Sequence, residues 1–541
     1  MVQRKFYITT AIPYANAEPH VGHVLELIGT DVIARAKRLL GYRVYFQTGT
    51  DEHGQKMLEA ATKVGMTAQE YADSIVPRFR SLWDDLNVSY DRFVRTTDPD
   101  HGRGVLKFWQ AVRDNGDIYL GKYEGWYCVP DETFVLESQV ITGEKGEKLC
   151  PQCNRELVWH SEENYVFRWS KYQKALEEWI SSHPEFIAPS FRANEMINSF
   201  LRPGLQDISI SRTTIQWGIP VPDNPKHVIY VWFDALLNYI TGIGYGSDEE
   251  RFREWWPCDL HVVGKDILKF HTLLWPAMLM AAGLELPRRV FGHGFVVLRG
   301  AEKMSKSKGN VVNPRDLLAL FEGNPDPLRY YLLCENDFGY DATFSLEGLV
   351  EKYRADLADK LGNLVSRTTS MIMKYRDGVL KRVERLQPED EKAREVLTAL
   401  WQPASEDPSR TVFEYLIDEG LFAQLLQRIF AGVSLLNGYV TEQKPWALAK
   451  DPARKERLDQ VLYVLYEGLR LVAAQIWPFI PASADKIWRQ LGFEKSIASH
   501  TFEEMATWGA MEPRPIVPGG ILFPKFESLD KVQKKEDSAQ S

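Results

Sequence analysis

Residues 10–23 read TAIPYANAEPHVGH, and this stretch decides how the chain folds. Before it, residues 6–9 (FYIT) are aromatic and β-branched, which predicts a buried strand. After it, apolar residues at helical spacing predict a helix that begins near residues 19–20, with Pro19 tolerated in its first turn. These apolar residues are Val24, Leu25, Ile28, Val32 and Ile33. A strand, a loop and a helix N-terminus form an anion-binding platform, because unpaired backbone N–H groups and the helix dipole face one point.

Two imidazoles, His20 and His23, are predicted on adjacent faces of the first helical turn. Gly22 lies between them and leaves room for a ligand to approach the backbone. A strand–loop–helix unit with a glycine is common in α/β proteins, and single histidines are usually surface or core residues. This stretch alone therefore does not establish a function.

A second motif, KMSKS, occupies residues 303–307. On its own, a lysine-rich run of this kind is typical of a solvated basic loop. An HxGH signature after the first strand, followed far downstream by KMSKS, resembles the class I aminoacyl-tRNA synthetases. Residues 11–16 (AIPYAN) narrow the resemblance to the methionyl-tRNA synthetase family, and it extends from the first strand to near residue 526.

Length and composition limit the class of protein. A chain of 541 residues is too long for one core and predicts three or four structural units. Its 44% hydrophobic and 26% charged residues are ordinary for a soluble enzyme, and a net charge of −9 means that any RNA contact must use local basic surface.

The chain enters its first strand at once, so no leader peptide is expected, and no apolar run is long enough to span a bilayer. Five cysteines, three of them clustered, favour a reducing compartment, and we expect a cytoplasmic protein.

The resemblance implies an α/β fold with a Rossmann-like parallel-sheet catalytic domain, a connective insertion and a following α-helical bundle that binds the anticodon. The expected boundaries are 1–118 and 227–290 for the two halves of the catalytic domain, 119–226 for the insertion, 291–347 for the KMSKS and stem-contact region, 348–510 for the bundle, and 511–541 for a segment that packs back and ends in a disordered tail. Residues 44–46 and 259–263 are predicted strands. The apolar run 227–232 is predicted as a central parallel strand, and 520–525 as a strand or extended segment.

The resemblance assigns the catalytic roles. His20 and His23 would contact the ATP phosphates in the transition state, while Lys303 and Lys306 would close over the pyrophosphate, with Lys306 carrying the larger role. The implied ATP-binding set also contains Gly22, Gly264, Asp266 and Ser305. Mg²⁺ is expected to bind through the triphosphate rather than in a protein cage.

A methionine pocket is implied by the same resemblance. Its expected residues are Ile12, Tyr14, Asp51, Trp232, Ala235, Leu236, Tyr239, Ile267 and His271. An apolar, aromatic pocket suits a flexible thioether. Leu236 stands where the family commonly has proline. From the residues alone, a helix N-cap is the preferred interpretation of Asp51, and core packing is the more frequent role for aromatic residues such as Trp232 and Tyr239.

Cysteines in the insertion have the spacing of a zinc knuckle. The set is Cys128, Asp131, Cys150 and Cys153, in which Asp131 replaces one cysteine of the paired pattern. One structural zinc ion is expected, and the alternative is three thiols without metal.

The bundle is expected to bind the anticodon of tRNA(Met). Asn363 and Arg367 lie four residues apart on one helical face, and Trp446 offers a stacking surface. All three match the family's anticodon-binding positions.

The resemblance thus implies ATP-dependent attachment of L-methionine to tRNA(Met) through methionyl-adenylate. The alternatives are a class I synthetase for another small apolar amino acid and a non-catalytic tRNA-binding paralogue. No appended dimerisation domain is recognised, so a monomer is expected.

Overall fold

The structure is a computed structural model that describes residues 3–129, 133–135, 137–143, 146–151, 153–298, 302–303 and 312–525. The chain begins with alternating strands and helices, as the apolar pattern predicts. In chain order these are β1 (Lys5–Thr10), α1 (Val21–Leu39), β2 (Arg43–Thr50), α2 (Gln55–Lys63), α3 (Ala68–Asp85), β3 (Arg92–Arg95) and α4 (Pro99–Asp114). Helix α1 begins directly after His20, so Pro19 precedes the helix instead of occupying its first turn.

A mainly antiparallel region follows. Its elements are β4 (Ile118–Cys128), β5 (Thr133–Val135), β6 (Ile141–Thr142), β7 (Lys148–Leu149), β8 (Val158–Phe167), α5 (Gln173–Ser182), β9 (Ile187–Ala188), α6 (Ser190–Met196), β10 (Ile208–Ser209) and β11 (Ser211–Arg212). Long strands β4 and β8 pair antiparallel, and β5 and β10 flank them.

The prediction of a central parallel strand over residues 227–232 is wrong. Only β12 (Val228–Ile229) is extended, and it pairs antiparallel with β11 outside the central sheet. Helix α7 (Val231–Ala235) begins immediately afterwards. A short continuous apolar run fits a buried strand or a buried helix equally well, and periodicity does not separate them. Here tertiary packing selects the helix.

The chain then returns to the central sheet. The elements are α8 (Asn238–Thr241), α9 (Glu249–Trp255), β13 (Leu260–Gly264), α10 (Trp275–Ala281), β14 (Val290–His293), β15 (Val296–Leu298), β16 (Glu302–Lys303), α11 (Pro314–Leu320), α12 (Asp326–Cys334) and β17 (Ala342–Phe344). Strand β15 pairs antiparallel with β16 and parallel with β17, forming a small sheet.

The central sheet has six parallel strands in the order β3-β2-β1-β13-β14-β9. Its edge strand β9 comes from within the segment expected as the insertion. From β1 the chain adds strands first on one side and later on the other, so the direction of winding reverses between β1 and β13. Ligands of doubly wound sheets bind outside the carboxyl ends of the strands at such a point. Residues 10–23 and 264–266 leave the sheet there.

The remainder is helical. Its helices are α13 (Leu346–Lys352), α14 (Asn363–Arg376), α15 (Pro388–Thr398), α16 (Val412–Asp418), α17 (Phe422–Gln443), α18 (Pro445–Leu448), α19 (Lys455–Ile476), α20 (Pro481–Gln490) and α21 (Phe502–Ala506). Residues 520–525 form no strand, but Leu522 and Phe523 are buried, and the Tyr353 hydroxyl donates to the Pro524 carbonyl at 2.5 Å. Within the described residues, no helix has both the length and the apolarity to cross a membrane.

Helix α1 joins the region of the central sheet to the helical bundle. Its Lys37 ammonium lies 3.0 Å from Glu414 Oε1 and 2.8 Å from Asp418 Oδ1, both on α16. Asp31, also on α1, lies 2.7 Å from the guanidinium of Arg329, and both side chains are fully buried. Such buried pairs specify geometry more than they add net stability. One continuous apolar core extends from α1 and α3 into the bundle, so the helix that follows His20 is held from both sides.

Candidate active site

A cavity of about 530 Å³ opens at the carboxyl ends of β1, β2, β13 and β14, a size typical of small-molecule sites. Most of the ATP-binding and methionine-binding residues expected from the sequence line it. They are Ile12, Tyr14, His20, Gly22, His23, Asp51, Trp232, Ala235, Leu236, Tyr239, Gly264, Asp266, Ile267 and His271. Residues more than 200 positions apart in sequence therefore share one cavity.

Lys303, Ser305 and Lys306 are the remaining members of the expected ATP-binding set. Strand β16 brings the Lys303 backbone into register with Val297, close in sequence to the lining residues Phe295 and Val296. Ser305 and Lys306 lie outside the described residues.

The two histidines of the signature cap helix α1. The Gly22 N–H donates to His20 Nδ1 at 3.1 Å, and the His20 N–H donates to His23 Nδ1 at 3.2 Å. Their rings stack with centroids 3.9 Å apart. Because Nδ1 accepts in both rings, the proton of each neutral imidazole resides on Nε2. The arrangement therefore provides two Nε2–H donors beside the positive end of α1, which suits phosphoryl oxygens.

Gly22 is required by this cap. A Cβ at position 22 would lie 2.9 Å from His20 Cε1 and 3.0 Å from His20 Nδ1. The sequence alone predicts that the glycine makes room for a ligand, whereas the structure shows the His20 ring over its backbone.

A neutral hydrogen-bonded pair lies among the cavity-lining residues expected to bind methionine. Tyr239 Oη lies 2.7 Å from His271 Nε2, and His271 Nδ1 lies 2.9 Å from the Ile267 carbonyl oxygen. The carbonyl can only accept, so Nδ1 carries the proton and Nε2 accepts the tyrosine hydroxyl. Burial lowers the pKa of His271 to about 4 and raises that of Tyr239 well above its usual value. Both groups are therefore uncharged at neutral pH.

This environment predicts a specific pH dependence of stability. The pKa of His271 is about 4 in the folded protein and 6.5 for a model imidazole. Between these values the unfolded chain binds a proton that the folded protein does not, so stability is lost as pH falls from 6.5 to about 4. At pH 5 we expect this group to cost roughly 2 kcal/mol relative to pH 7. Urea unfolding of the unmodified protein and of His271→Gln at both pH values measures the difference. Equal losses in the two proteins would contradict the assignment.

Aromatic rings complete the apolar wall. Trp232 stacks on Phe270 with centroids 3.9 Å apart, and it meets the His271 ring edge-on at 6.3 Å. Trp232, Ala235 and Leu236 reach the cavity from α7 and the residue that follows it. Such a surface accommodates a polarizable thioether.

Asp51 lines the same cavity as this wall. Its backbone forms a parallel bridge with Tyr14, its N–H donates to the Pro13 carbonyl at 3.0 Å, and its own carbonyl accepts from the Ala15 N–H at 2.9 Å. The residue is 6% exposed and lines the cavity. It begins no helix, because α2 starts at Gln55, so the N-cap alternative does not apply.

Several lining residues were not predicted. They include Thr10, Glu26, Lys56, Asn238, Phe270 and His293. His293 Nε2 lies 2.9 Å from Glu26 Oε2, and burial raises the pKa of Glu26. Glu26 could have been found from its position three residues after His23 on one face of α1, and His293 from its position at the end of a strand.

The three cysteines of the insertion come together. Their sulfur atoms all lie within 4.8 Å of one another, and Cys128 and Cys150 are buried in a small apolar cluster with Val135 and Leu157. This spacing is compatible with the roughly 2.3 Å Zn–S bonds of a tetrahedral site. Asp131 lies outside the described residues.

The expected anticodon residues lie on the helical bundle. Asn363 begins α14 and is exposed, and Arg367 follows one turn later in a half-buried position. Trp446, in α18, is 43% exposed, an unusual exposure for so large an apolar side chain.

Comparison with known proteins agrees with this geometry. The family model described as tRNA synthetases class I (M) matches residues 6–369. Methionine--tRNA ligase of Caldanaerobacter subterraneus subsp. tengcongensis is 45% identical over 540 residues, covering 99% of this chain and 82% of that protein. The corresponding ligase of Thermotoga maritima is 43% identical, covering 97% and 81%.

A solved structure, Mycobacterium tuberculosis methionyl-tRNA synthetase in complex with methionyl-adenylate, superimposes with a TM-score of 0.89 at 41% identity. The match covers 96% of this chain and all of that one. At such identity and coverage the likeness extends well beyond the fold, and the chain belongs to the methionyl-tRNA synthetases of class I.

Proposed function

We propose that this protein activates L-methionine with ATP and transfers it to tRNA(Met) through methionyl-adenylate, releasing pyrophosphate and AMP. One observation carries the proposal: a single cavity brings aromatic side chains and the uncharged Tyr239–His271 pair together with a helix N-terminus that bears two imidazole donors. The first part suits a thioether side chain, and the second suits a triphosphate.

The amino-acid side of the cavity selects by shape and by absence of charge. The Tyr239 and His271 pair offers polar atoms without a net charge, so a neutral side chain enters without an uncompensated ion. The Asp51 carboxylate, which lines the cavity, binds the substrate ammonium. Selection against a side chain one methylene shorter amounts to about 1–3 kcal/mol in such a pocket.

Activation needs stabilisation of phosphoryl charge. The methionine carboxylate attacks the α-phosphorus, the bond to the bridging oxygen breaks, and pyrophosphate leaves. His20 and His23 donate Nε2–H to phosphoryl oxygens as charge accumulates there, and Lys303 and Lys306 hold the leaving group. Asp266 accepts hydrogen bonds from the ribose.

Magnesium would bind through the nucleotide. In the described part of the chain, the cysteine cluster is the one group of three or more His, Cys, Asp and Glu residues whose ligand atoms all lie within 4.8 Å of one another. Mg²⁺ commonly uses substrate phosphates in place of a protein cage, and it neutralises the β- and γ-oxygens.

The decisive test is amino-acid-dependent ATP–pyrophosphate exchange with each of the twenty amino acids presented separately. Exchange with methionine alone is expected, followed by charging of tRNA(Met). Exchange with leucine, cysteine or valine would preserve the chemistry but overturn the pocket assignment. No exchange by folded protein would favour the non-catalytic tRNA-binding paralogue.

We further propose that Asn363, Arg367 and Trp446 bind the anticodon. The Trp446→Ala variant is expected to lower kcat/KM for tRNA charging by about 10- to 100-fold, because it removes the stacking of one base. The exchange reaction involves no tRNA and is expected to be unchanged in the same variant. Equal loss in both reactions would contradict an anticodon role.

A structural zinc ion held by Cys128, Cys150 and Cys153, with Asp131 as fourth ligand, is also proposed. Purified protein is expected to contain about one zinc ion per chain by elemental analysis. The Cys153→Ser variant should lose the metal and unfold at lower temperature. The matched Cys334→Ser variant, outside the cluster, should keep it. Equal zinc content in both variants would refute the site.

A further inference from the structure

A buried carboxylate bridges two imidazoles behind the wall of the cavity. Asp234 is fully buried; its Oδ2 lies 2.6 Å from His53 Nδ1, and its Oδ1 lies 2.8 Å from His101 Nε2. His53 is 7% exposed and His101 is 1% exposed. None of the three side chains lines the cavity, and the proposed chemistry does not use them.

The bridge is ionic in character. Burial tends to raise the pKa of Asp234, but attraction and hydrogen bonding from the two imidazoles outweigh it and lower the pKa to about 2. The carboxylate therefore stays charged across the physiological range and accepts an N–H from each ring. Hydrogen bonds to a buried charge are among the strongest in proteins.

The His53 end of the bridge contacts Tyr14 and Asp51, which form the floor of the proposed methionine pocket. The His53 carbonyl accepts the Tyr14 hydroxyl, and the His53 N–H reaches Asp51 Oδ1 at 3.4 Å. The indole of Trp217 packs edge-on against the His53 ring and donates to the neighbouring Glu52 carbonyl at 2.6 Å. The His53 peptide thus contacts both the Tyr14 hydroxyl and the Asp51 carboxylate.

Asp234 connects the bridge to the apolar wall of the cavity. Asp234 belongs to α7, between Trp232 and Ala235, which both line the cavity. His101 on α4 holds the second oxygen, and its Nδ1 lies 2.7 Å from Thr241 Oγ1. Floor and wall come from segments 181 residues apart and meet at this carboxylate.

We propose that Asp234 is a positioning residue for methionine, which sets the separation between the Asp51–Tyr14 floor and the Trp232 wall. This inference rests on the proposed function. It predicts that weakening the bridge affects methionine binding and leaves the nucleotide half of the cavity unchanged.

The test is the Asp234→Asn variant, in which an amide of the same shape replaces the carboxylate. Its single oxygen can accept from only one ring, and its NH₂ faces the N–H of the other. We expect KM for methionine in ATP–pyrophosphate exchange to rise about tenfold. KM for ATP is expected to stay within about twofold. A methionine KM within that margin, or a parallel rise in both KM values, would overturn the proposal.

Asp390→Asn is the matched control for loss of a buried carboxylate. Asp390 is fully buried in the bundle and bonds to Arg457 at 2.6 Å and to Tyr439 at 2.5 Å. Its substitution is expected to lower Tm without changing KM for methionine. A rise in methionine KM equal to that of Asp234→Asn would show a non-specific effect and refute the positioning role.

A second pair of variants decides the matter if Asp234→Asn does not fold. The His53→Asn variant keeps a donor near the Nδ1 position, whereas His53→Leu removes it. Only His53→Leu should raise methionine KM, and equal KM values would refute the proposal. Absence of methionine-dependent exchange in the unmodified protein would refute the proposed function itself. Results with the variants test only the positioning role of Asp234.

Discussion

Replacing His23 by alanine is expected to lower kcat of methionine-dependent exchange by on the order of 10²- to 10³-fold. His23 lines the cavity, and its Nδ1 accepts from the His20 N–H, so its Nε2–H is oriented by the backbone. A donor that acts on developing phosphoryl charge stabilises the transition state more than the bound substrates. The loss should therefore appear in kcat, with KM for methionine and ATP little changed.

His23 also caps α1, and the two roles need separate controls. Loss of the cap should destabilise the protein by about 1 kcal/mol, measured by thermal unfolding. The His23→Asn variant keeps an acceptor for the His20 N–H but has no Nε2. It should recover stability without recovering kcat. His183→Ala, on the insertion, should leave kcat unchanged. A fall in kcat of less than about tenfold in His23→Ala would contradict the transition-state role.

Replacing Asp51 by asparagine is expected to raise KM for methionine by on the order of 10²-fold. Asp51 lines the cavity, its carboxylate is proposed to bind the substrate ammonium, and its backbone is held by the parallel bridge to Tyr14. An ammonium group transferred from water to this site loses its hydration, and a charged acceptor is needed to compensate the cost of that desolvation. Exchange kinetics at varied methionine and saturating ATP measure the effect.

Asp266→Asn provides the reciprocal control for Asp51. Asp266 lines the same cavity beside Gly264, at the end of β13. As a ribose contact it should affect KM for ATP and leave KM for methionine within about twofold. The opposite pattern, or the same pattern in both variants, would contradict the assignment of the two halves of the cavity.

Local sequence determined the parts of the molecule whose contacts are local. The aromatic and β-branched run before residue 10 forms β1, and the apolar spacing after residue 23 forms α1, because strand and helix periodicity are read within a few residues. The HxGH spacing places both imidazoles at the start of α1, where His20 Nδ1 accepts from the Gly22 N–H and His23 Nδ1 accepts from the His20 N–H. Fourteen of the residues that the resemblance implied for ATP and methionine line one cavity, and their individual roles stay predictions.

Tertiary structure alone decided the rest. Residues 227–232 form β12 and the start of α7 because they pack as a wall beside the cavity, and an apolar run carries no signal that selects helix over strand. The His293 and Glu26 pair joins residues 267 positions apart. Asp234, His53 and His101 are each unremarkable in sequence, and only the meeting of α7, α4 and the segment after β2 makes them one charged bridge. The physical reason is that hydrogen bonds and burial depend on distance in space, which separation along the chain does not specify.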